Sequence, residues 1–325
     1  MNMELSCTFA TTLSTPENIR IAEELGYVSA WPFYSPAIYA DPWMMLALAA
    51  ERTSRIGLGI SVIVPRLRHV ADVASSLATL HQLAPDRVTL VVGSGFSSTG
   101  LLRSKNIPWS VVETFVGQLR TLLAGGEIEI DGRKGSMLHV AESGISLPID
   151  VPIWVAAHGP KGLGVASRVA NGIITNLTHG DQKITFEGPC AVSYYGTVLA
   201  SNETCDDPAV IERVAPAAAL ALHMGPYGPL AGSEEERGFT AAIESFPEDE
   251  RVIETHRGHM LTLTELDRKY VNGNAVRDGT LTGCPAQIRD RLAEIEQSGA
   301  TRFCYTPVGP DIPRELEAFA KVFHA

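Results

Sequence analysis

The sequence predicts a (β/α)8 barrel, a closed ring of eight parallel strands wrapped by helices, in a single domain over residues 1–325. Short apolar segments alternate with segments of helical spacing along most of the chain, which is the order of a parallel sheet. The predicted strands are too apolar for a sheet with one face in solvent, so both faces of each strand are expected to be buried. No linker rich in Pro, Gly or Ser divides the 325 residues, and this length suits one large barrel.

Four β–α repeats open the chain. Predicted strands and helices alternate over residues 5–9, 15–25, 27–31, 41–53, 54–65, 70–83 and 87–92. Thr15-Pro16 and Asp41-Pro42 each place a capping side chain before a proline that suits the first helical turn. A doubly wound sheet is the weaker alternative, because residues 10–14 after the first strand lack the Gly-x-Gly-x-x-Gly pattern of a dinucleotide site.

The regular order breaks after a helix predicted over residues 109–123. Residues 124–147 are rich in glycine and 127–132 is typical of a small hairpin, so we interpret this stretch as an insertion after the fourth strand. Strands five, six and eight are predicted over 151–156, 172–175 and 302–305. Strand seven is predicted within Val210 to His223, whereas residues 177–208 show too little periodicity to assign.

Composition argues against several classes of function. The net charge of −11 is unsuited to a nucleic-acid or anionic membrane surface, since such surfaces need clustered Lys and Arg. No apolar run is long enough to span a bilayer, and the N-terminal residues lack the basic start and apolar core of a signal peptide. The five cysteines are scattered without a CxxC pair, which fits reduced thiols in a cytoplasmic protein.

Candidate site residues lie where the predicted strands end, the face at which barrel enzymes carry their active sites. This rim holds glycines, hydroxyls and aromatic side chains but few ionisable groups, a lining that suits a large flat cofactor better than metal-assisted hydrolysis. Residues 92–96 form a glycine-rich loop that would let a ring system press against backbone. Residues 157–162 open a helix whose free N–H groups attract an anion such as phosphate. Both loops are equally compatible with simple tight turns.

Histidines are the main titratable candidates. His158 is either a hydrogen-bond donor to a cofactor or a capping side chain, and His69 is expected to be structural. His256 and His259 have the i, i+3 spacing that brings side chains together, and His259 is a candidate substrate contact. No carboxylate partner is evident beside them, so no metal site is predicted. No His–Asp relay is visible beside the rim serines, which argues against a hydrolytic triad.

Several motifs together resemble the bacterial luciferase-like superfamily of flavin- and deazaflavin-dependent oxidoreductases, and within it the methylenetetrahydromethanopterin reductase-like branch. The matching segments run in family order over nearly the whole chain: 22–31, Asp41-Pro42, 53–62, Arg68-His69-Val70, 92–95, 152–162, 170–172 and 283–289. Together they are specific, although none is so alone. The resemblance implies a (β/α)8 barrel with an insertion region, often a homodimer, that uses the deazaflavin F420 or alternatively FMN.

The resemblance also implies a cofactor site. A non-prolyl cis peptide at Ser61–Val62 is expected behind the central ring of the cofactor, and the loop from Ala156 to Lys161 matches the one that holds the phosphate-bearing tail. The implied cofactor-contacting residues are Ser61, Val62, Val64, Ser94, Gly95, His158, Gly159, Lys161 and Gly162. Substrate contacts are expected from Trp31, Phe96 and His259.

Two departures from the F420-dependent sugar and alcohol dehydrogenases of this superfamily shape the expected chemistry. Those enzymes carry an Asp-His pair after the strand-two Trp and an acidic residue after the strand-four Gly-x-Gly, where this chain has Tyr34-Ser35 and Phe96. Alcohol oxidation is therefore not expected. We instead expect reduction of an activated C=C or C=N bond, for which F420 would supply the hydride, with Tyr34 and His158 as candidate proton donors.

Two alternatives stay open from the sequence. A two-component FMN-dependent monooxygenase would take reduced FMN from a separate reductase and insert oxygen from O2 into its substrate. Such a flavin or F420 reductase is therefore a candidate partner beside the small-molecule substrate. The other alternative is a barrel that has lost catalysis and binds a ligand, which the missing acidic residues motivate.

Overall fold

The computed structural model describes residues 2–95, 97–102, 107–176 and 183–325. The strands in this part of the chain are β1 (Glu4–Phe9), β2 (Ser29–Pro32), β3 (Gly57–Ile63), β4 (Val88–Val92), β5 (Glu127–Ile130), β6 (Arg133–Ser136), β7 (Ile153–Ala156), β8 (Gly172–Thr175), β9 (Cys190–Tyr195) and β10 (Arg302–Thr306). Eight of them close into a barrel in the order β1-β10-β9-β8-β7-β4-β3-β2, and all of its neighbouring strands are parallel. The predicted (β/α)8 barrel is confirmed.

The two remaining strands, β5 and β6, pair antiparallel as a separate hairpin after the fourth barrel strand, which confirms the predicted insertion. The α-helices are α1 (Thr15–Glu24), α2 (Pro42–Arg52), α3 (Val70–Leu83), α4 (Ser97–Leu101), α5 (Trp109–Leu123), α6 (Pro160–Val169), α7 (Pro208–His223), α8 (Glu234–Glu244), α9 (Arg251–His256), α10 (Asp267–Tyr270), α11 (Gly273–Gly279), α12 (Pro285–Gln297) and α13 (Ile312–His324). None of the described helices combines the length and apolarity needed to cross a membrane.

Side-chain caps fix several helix starts. The Asp41 carboxylate accepts a hydrogen bond from the Trp43 N–H over 2.9 Å at the start of α2, as its sequence position predicts. His69 caps α3 in the same way, because its Nδ1 accepts from the Ala71 N–H over 3.3 Å. The structural role expected for His69 is therefore confirmed.

The barrel interior is closed by two tryptophans. Trp31 of β2 and Trp154 of β7 meet edge to face with ring centroids 5.1 Å apart, and the Arg302 guanidinium lies over both rings. Gly59 of β3 makes room for this pair, because a Cβ there would stand 2.8 Å from Trp31 Cδ1 and 2.4 Å from the Thr89 carbonyl oxygen. A larger residue at position 59 would therefore displace the tryptophan or the neighbouring strand.

The outward faces of the strands pack against the helices in the main hydrophobic core. Leu58 and Ile60 of β3 and Phe303 of β10 are completely or almost completely buried there. Phe319 of α13 stacks on Tyr305 with ring centroids 4.0 Å apart. This two-sided burial explains why the strands read as continuous apolar runs in the sequence.

The predicted position of strand seven is wrong. Residues 210–223 belong to helix α7, and the seventh barrel strand is β9, within the stretch that had shown no clear periodicity. Helix α7 is alanine-rich, and Ala217, Ala218, Ala221 and Leu222 are buried in a second hydrophobic core. A helix buried on most sides loses its amphipathic pattern and resembles an apolar strand in sequence.

Helices α7 to α11, residues 208–279, form a helical cap on the barrel. Their core packs against Ala10, Phe33 and Val308, which follow β1, β2 and β10. The cap therefore covers part of the C-terminal end of the barrel, the end at which barrel enzymes carry their active sites.

Candidate active site

Strand β3 becomes irregular where it reaches the C-terminal rim. The Ser61–Val62 peptide bond is cis, as expected, and the pairing of β3 with β4 shifts register between Ser61 and Ile63. Ser61 and Val64 are buried, whereas Val62 is partly exposed. This bulge turns a piece of backbone and one apolar side chain toward the barrel mouth.

The loop after β4 fits closely against this bulge. A Cβ at Gly93 would lie 2.9 Å from Val62 Cγ2, so the backbone of one loop touches the side chain of the other. Gly95 has a φ of +85°, and a Cβ there would lie 2.5 Å from Thr99 Cγ2 and 3.2 Å from Val64 Cγ1. The glycines thus make one continuous wall out of the β3 and β4 loops. Ser94 between them is partly exposed, and Phe96 lies outside the described residues.

His158 is fixed at the end of β7 by the neighbouring strand β8. Its Nδ1 accepts a hydrogen bond from the Asn176 N–H over 3.2 Å and lies 3.1 Å from Thr175 Oγ1. Although the residue as a whole is exposed, the protein around the ring desolvates it and lowers the pKa of His158. In the neutral ring this network assigns the proton to Nε2, which leaves one N–H donor at the rim.

Helix α6 begins beside His158 in a loop with free space above it. Gly159 is the extended N-cap residue and Pro160 starts the helix, while the Lys161 side chain is exposed. A Cβ at Gly159 would meet no atom within 4 Å among the described residues, whereas Gly162 packs its Cα against the Trp109 ring. Backbone N–H groups in the first turn of a helix have no intrahelical acceptor, so this end suits an anion.

Tyr34 is held at the end of β2 by a charged cluster. It is only 7% exposed, and its hydroxyl accepts a hydrogen bond from Arg68 Nε over 3.3 Å. Arg68 in turn pairs with Asp41 and, over 3.0 Å, with Asp72. Arg68 and Asp41 stand in segments singled out by their resemblance, but their part in holding Tyr34 became visible only in the fold.

The remaining predicted substrate residues lie outside the rim loops. Trp31 is completely buried in the barrel interior, in the cluster against which Val62 packs, and its contact with substrate stays a prediction. His259 lies in the helical cap, 7% exposed, with its Nδ1 3.3 Å from His256 Nδ1. The predicted approach of these two histidines is therefore confirmed, whereas their contact with substrate stays a prediction.

A cavity of about 540 Å³ opens between the rim and the helical cap. Its lining includes Asn176, Ser193, Tyr195, Met224, Tyr227 and Arg291. It begins beside His158, because Asn176 donates to that ring. The described lining does not include the β3 and β4 loops, so the cavity is a neighbouring compartment, of a size suited to a small organic molecule.

The family model for the luciferase-like monooxygenases matches residues 13–188. This match covers more than half of the chain, so the chain belongs to the luciferase-like monooxygenase family, whose members are oxidoreductases. The likeness extends to curated relatives. A 5,10-methylenetetrahydromethanopterin reductase from Methanolobus tindarius is 30% identical over 49% of this chain and 49% of its own length. An F420-dependent glucose-6-phosphate dehydrogenase from Beutenbergia cavernae is 37% identical over 47% of this chain and 46% of its own length.

The alignment to these two relatives therefore spans about half of each protein. Among solved structures, the coenzyme F420-dependent tetrahydromethanopterin reductase from Methanopyrus kandleri superimposes with a TM-score of 0.70 at 18% identity, over 98% of both chains. At this identity the superposition shows that the whole fold is shared, without deciding the substrate.

Proposed function

We propose that this protein uses F420 to reduce an activated C=C or C=N bond of a small organic substrate. The observation that carries the proposal is the continuous wall of the β3 and β4 loops beside the open start of helix α6. A flat ring system needs a surface of backbone and small side chains, and a phosphate-bearing tail needs free N–H groups. The rim offers both on neighbouring strands, and F420 combines a flat deazaflavin ring with such a tail.

The wall would hold the ring. Ser61, Val62, Val64, Ser94 and Gly95 lie along the β3 and β4 loops, which touch where Gly93 meets Val62 and where Gly95 meets Val64. These residues carry no ionisable group, so they offer packing and backbone hydrogen bonds to a ring rather than charge. When bound, F420 supplies the hydride, and the chain supplies position, a dry surface and a proton.

The start of α6 would hold the anionic tail. Lys161 is exposed at the first turn, where its charge adds to that of the helix dipole. Gly159 leaves the approach to this turn open, and the Nε2–H of His158 is a further neutral donor. The chain itself carries a net charge of −11, so this positive end is a local feature rather than part of a general basic surface.

Tyr34 and His158 are two proton donors at the rim. The strand-end segments 10–12, 33–35, 93–95, 157–159 and 307–309 contain no Asp or Glu. Oxidation of an alcohol needs a base for the hydroxyl proton, and acidic side chains are absent from these positions. Reduction of an activated double bond needs a proton donor instead, a role proposed here for the Tyr34 hydroxyl or, as the weaker acid, for the Nε2–H of His158.

A binding titration with purified protein tests the cofactor. We expect F420 to bind, FMN to bind at least tenfold more weakly, and Lys161→Ala to weaken F420 binding. Lys321→Ala is the matched control, because Lys321 is an exposed lysine on α13, paired with Glu317. Tight FMN binding without F420 binding contradicts the proposal.

The family's monooxygenase description favours one second candidate, an FMN-dependent monooxygenase supplied with reduced flavin by a partner reductase. Product that contains 18O from O2 would establish it, whereas product formed under anaerobic conditions with reduced F420 supports the reductase. We also propose that the protein is a homodimer, whichever of the two activities it has. Measurement of its molecular mass in solution tests this.

A further inference from the structure

The helical cap gathers three histidines that the proposed reaction does not use. His223 ends helix α7, His256 ends helix α9, and His259 follows three residues later. A ring nitrogen of each lies within 4.8 Å of the others. We call these three residues the histidine cluster. The sequence had placed only His256 and His259 together, and without a carboxylate.

The structure supplies that carboxylate. Asp267 at the start of α10 accepts a hydrogen bond from His223 Nε2 over 2.8 Å, and both side chains are at most 3% exposed. The other carboxylate oxygen accepts from the Thr264 N–H and hydroxyl over 2.8 and 2.7 Å. Thr264 thus holds the Asp267 carboxylate in place, and the carboxylate orients the His223 ring.

This orientation leaves His223 Nδ1 buried with no hydrogen-bond partner among the residues that the structure describes. A carboxylate can only accept, so Nε2 carries the proton and the Nδ1 of the neutral ring presents a lone pair. Buried polar atoms without a partner are rare and each asks for an explanation. A histidine that donates one N–H to a carboxylate and presents its other nitrogen is the usual arrangement of a metal ligand.

The spacing of the other two histidines also fits a bound metal ion. Tetrahedral zinc with bonds of about 2.0 Å places ligand nitrogens about 3.3 Å apart. The two Nδ1 atoms of His256 and His259 are 3.3 Å apart. We propose that His223, His256 and His259 bind one divalent first-row transition metal ion, most favourably Zn²⁺, with Asp267 as the carboxylate that orients His223.

Exposure differs among the three histidines. The side chain of His223 is 3% exposed and His259 is 7% exposed, whereas His256 is partly buried.

Such an ion would join α7, α9 and the segment leading to α10, three parts of the cap that are separate in sequence. Three protein nitrogens leave a fourth position on the metal for water. The site lies in the helical cap, whereas the F420 site proposed above is built on the rim. Metal binding in the cap and F420 binding at the rim can therefore be tested separately, and failure of one proposal leaves the other standing.

The test uses the full chain with any affinity tag removed, stripped with a chelator and titrated with ZnCl2 or CoCl2. We expect one equivalent of Co²⁺ to bind with the visible absorption of tetrahedral cobalt, and Zn²⁺ to displace it. In protein labelled with 15N-histidine, Zn²⁺ should shift three imidazole Nδ1 resonances. This NMR measurement uses the wild-type protein, so a variant that fails to fold would not affect it.

Variants assign the ligands. His256→Gln should weaken Zn²⁺ binding at least tenfold, and Asp267→Asn, which keeps the shape of the side chain, by about 10–100-fold. His324→Gln is the matched control, because His324 is exposed at the end of α13. Absence of stoichiometric Zn²⁺ and Co²⁺ binding overturns the proposal, as does binding that leaves the three imidazoles unshifted or is unchanged in His256→Gln.

Discussion

Arg68 and Tyr34 are joined twice: the guanidinium lies 5.4 Å from the centroid of the Tyr34 ring, and its Nε donates to the Tyr34 hydroxyl over 3.3 Å. The bonds from Arg68 to Asp41 and Asp72 hold the guanidinium in this place. The hydroxyl oxygen thus accepts from a cation while its own proton stays available to donate. This arrangement favours Tyr34 over His158 as the proton donor of the proposed reduction.

We expect Tyr34→Phe to lower the rate of substrate-dependent oxidation of reduced F420 by about 10²–10⁴-fold, the usual contribution of a general acid. The affinity for F420 should not change, because phenylalanine keeps the ring and its contact with Arg68. Stopped-flow absorbance of reduced F420 with a panel of activated alkenes and imines measures the rate. If Tyr34→Phe retains the wild-type rate and His158→Gln loses it, the proton comes from His158 and this assignment is wrong.

Gly93→Ala should weaken F420 binding by at least tenfold, about 1.4 kcal/mol. The new Cβ would stand 2.9 Å from Val62 Cγ2, and the branched valine has little freedom to turn away. The wall would then bulge into the place proposed for the ring. A fluorescence titration of F420 measures the change.

Gly164→Ala is the control for this substitution. A Cβ at Gly164 in α6 meets no atom within 4 Å among the described residues, so alanine should leave F420 affinity unchanged and stabilise the helix by roughly 0.5–1 kcal/mol. Equal F420 affinities in wild type, Gly93→Ala and Gly164→Ala would show that the ring does not rest on this wall.

The Glu203 carboxylate makes part of the free energy of unfolding depend on pH in the acidic range. Hydrogen bonds from Arg213, together with the Ala200 N–H, lower the pKa of Glu203 from 4.5 to about 2. The unfolded chain therefore binds this proton more readily than the folded one. The stabilisation is complete above pH 4.5 and is lost as the pH falls from 4.5 toward 2.

We expect Glu203→Gln to lower the free energy of unfolding at pH 7 by on the order of 1 kcal/mol, a figure reduced for partial exposure to solvent. The difference from wild type should shrink at pH 3, as measured by urea denaturation at both values. Glu317→Gln, which removes an exposed pair with Lys321, should have little effect at either pH. A Glu203→Gln difference that is the same at both pH values contradicts the assignment.

Local signals were enough to predict the first four β–α repeats. Asp41 caps α2 as its position before Pro42 predicts, and each of these strands is buried on both faces. The same signals misplaced strand seven, because a buried helix such as α7 carries apolar residues on most of its surface. Periodicity distinguishes helix from strand only where one face meets water.

In the candidate sites, too, contacts between residues close in sequence could be predicted, whereas contacts between residues far apart in sequence could not. The Ser61–Val62 cis bond was predicted from resemblance, and the closeness of His256 to His259 from their spacing. His223 and Asp267 join those histidines only because α7, α9 and α10 each pack against α8, which no local pattern encodes. Arg68 reaches Tyr34 for the same reason, since the ends of β2 and β3 become neighbours when the barrel closes.

The tryptophan pair across the barrel interior has a consequence for how protons travel. Trp31 and Trp154 close the channel beneath the rim, and Arg302 covers the far side of both rings. Neither indole ring gives up or takes up a proton near neutral pH, so no proton relay runs through the two rings themselves. In the proposed reduction, a proton given up by Tyr34 or His158 would therefore be replaced from the mouth of the barrel, where the two side chains stand on different strands.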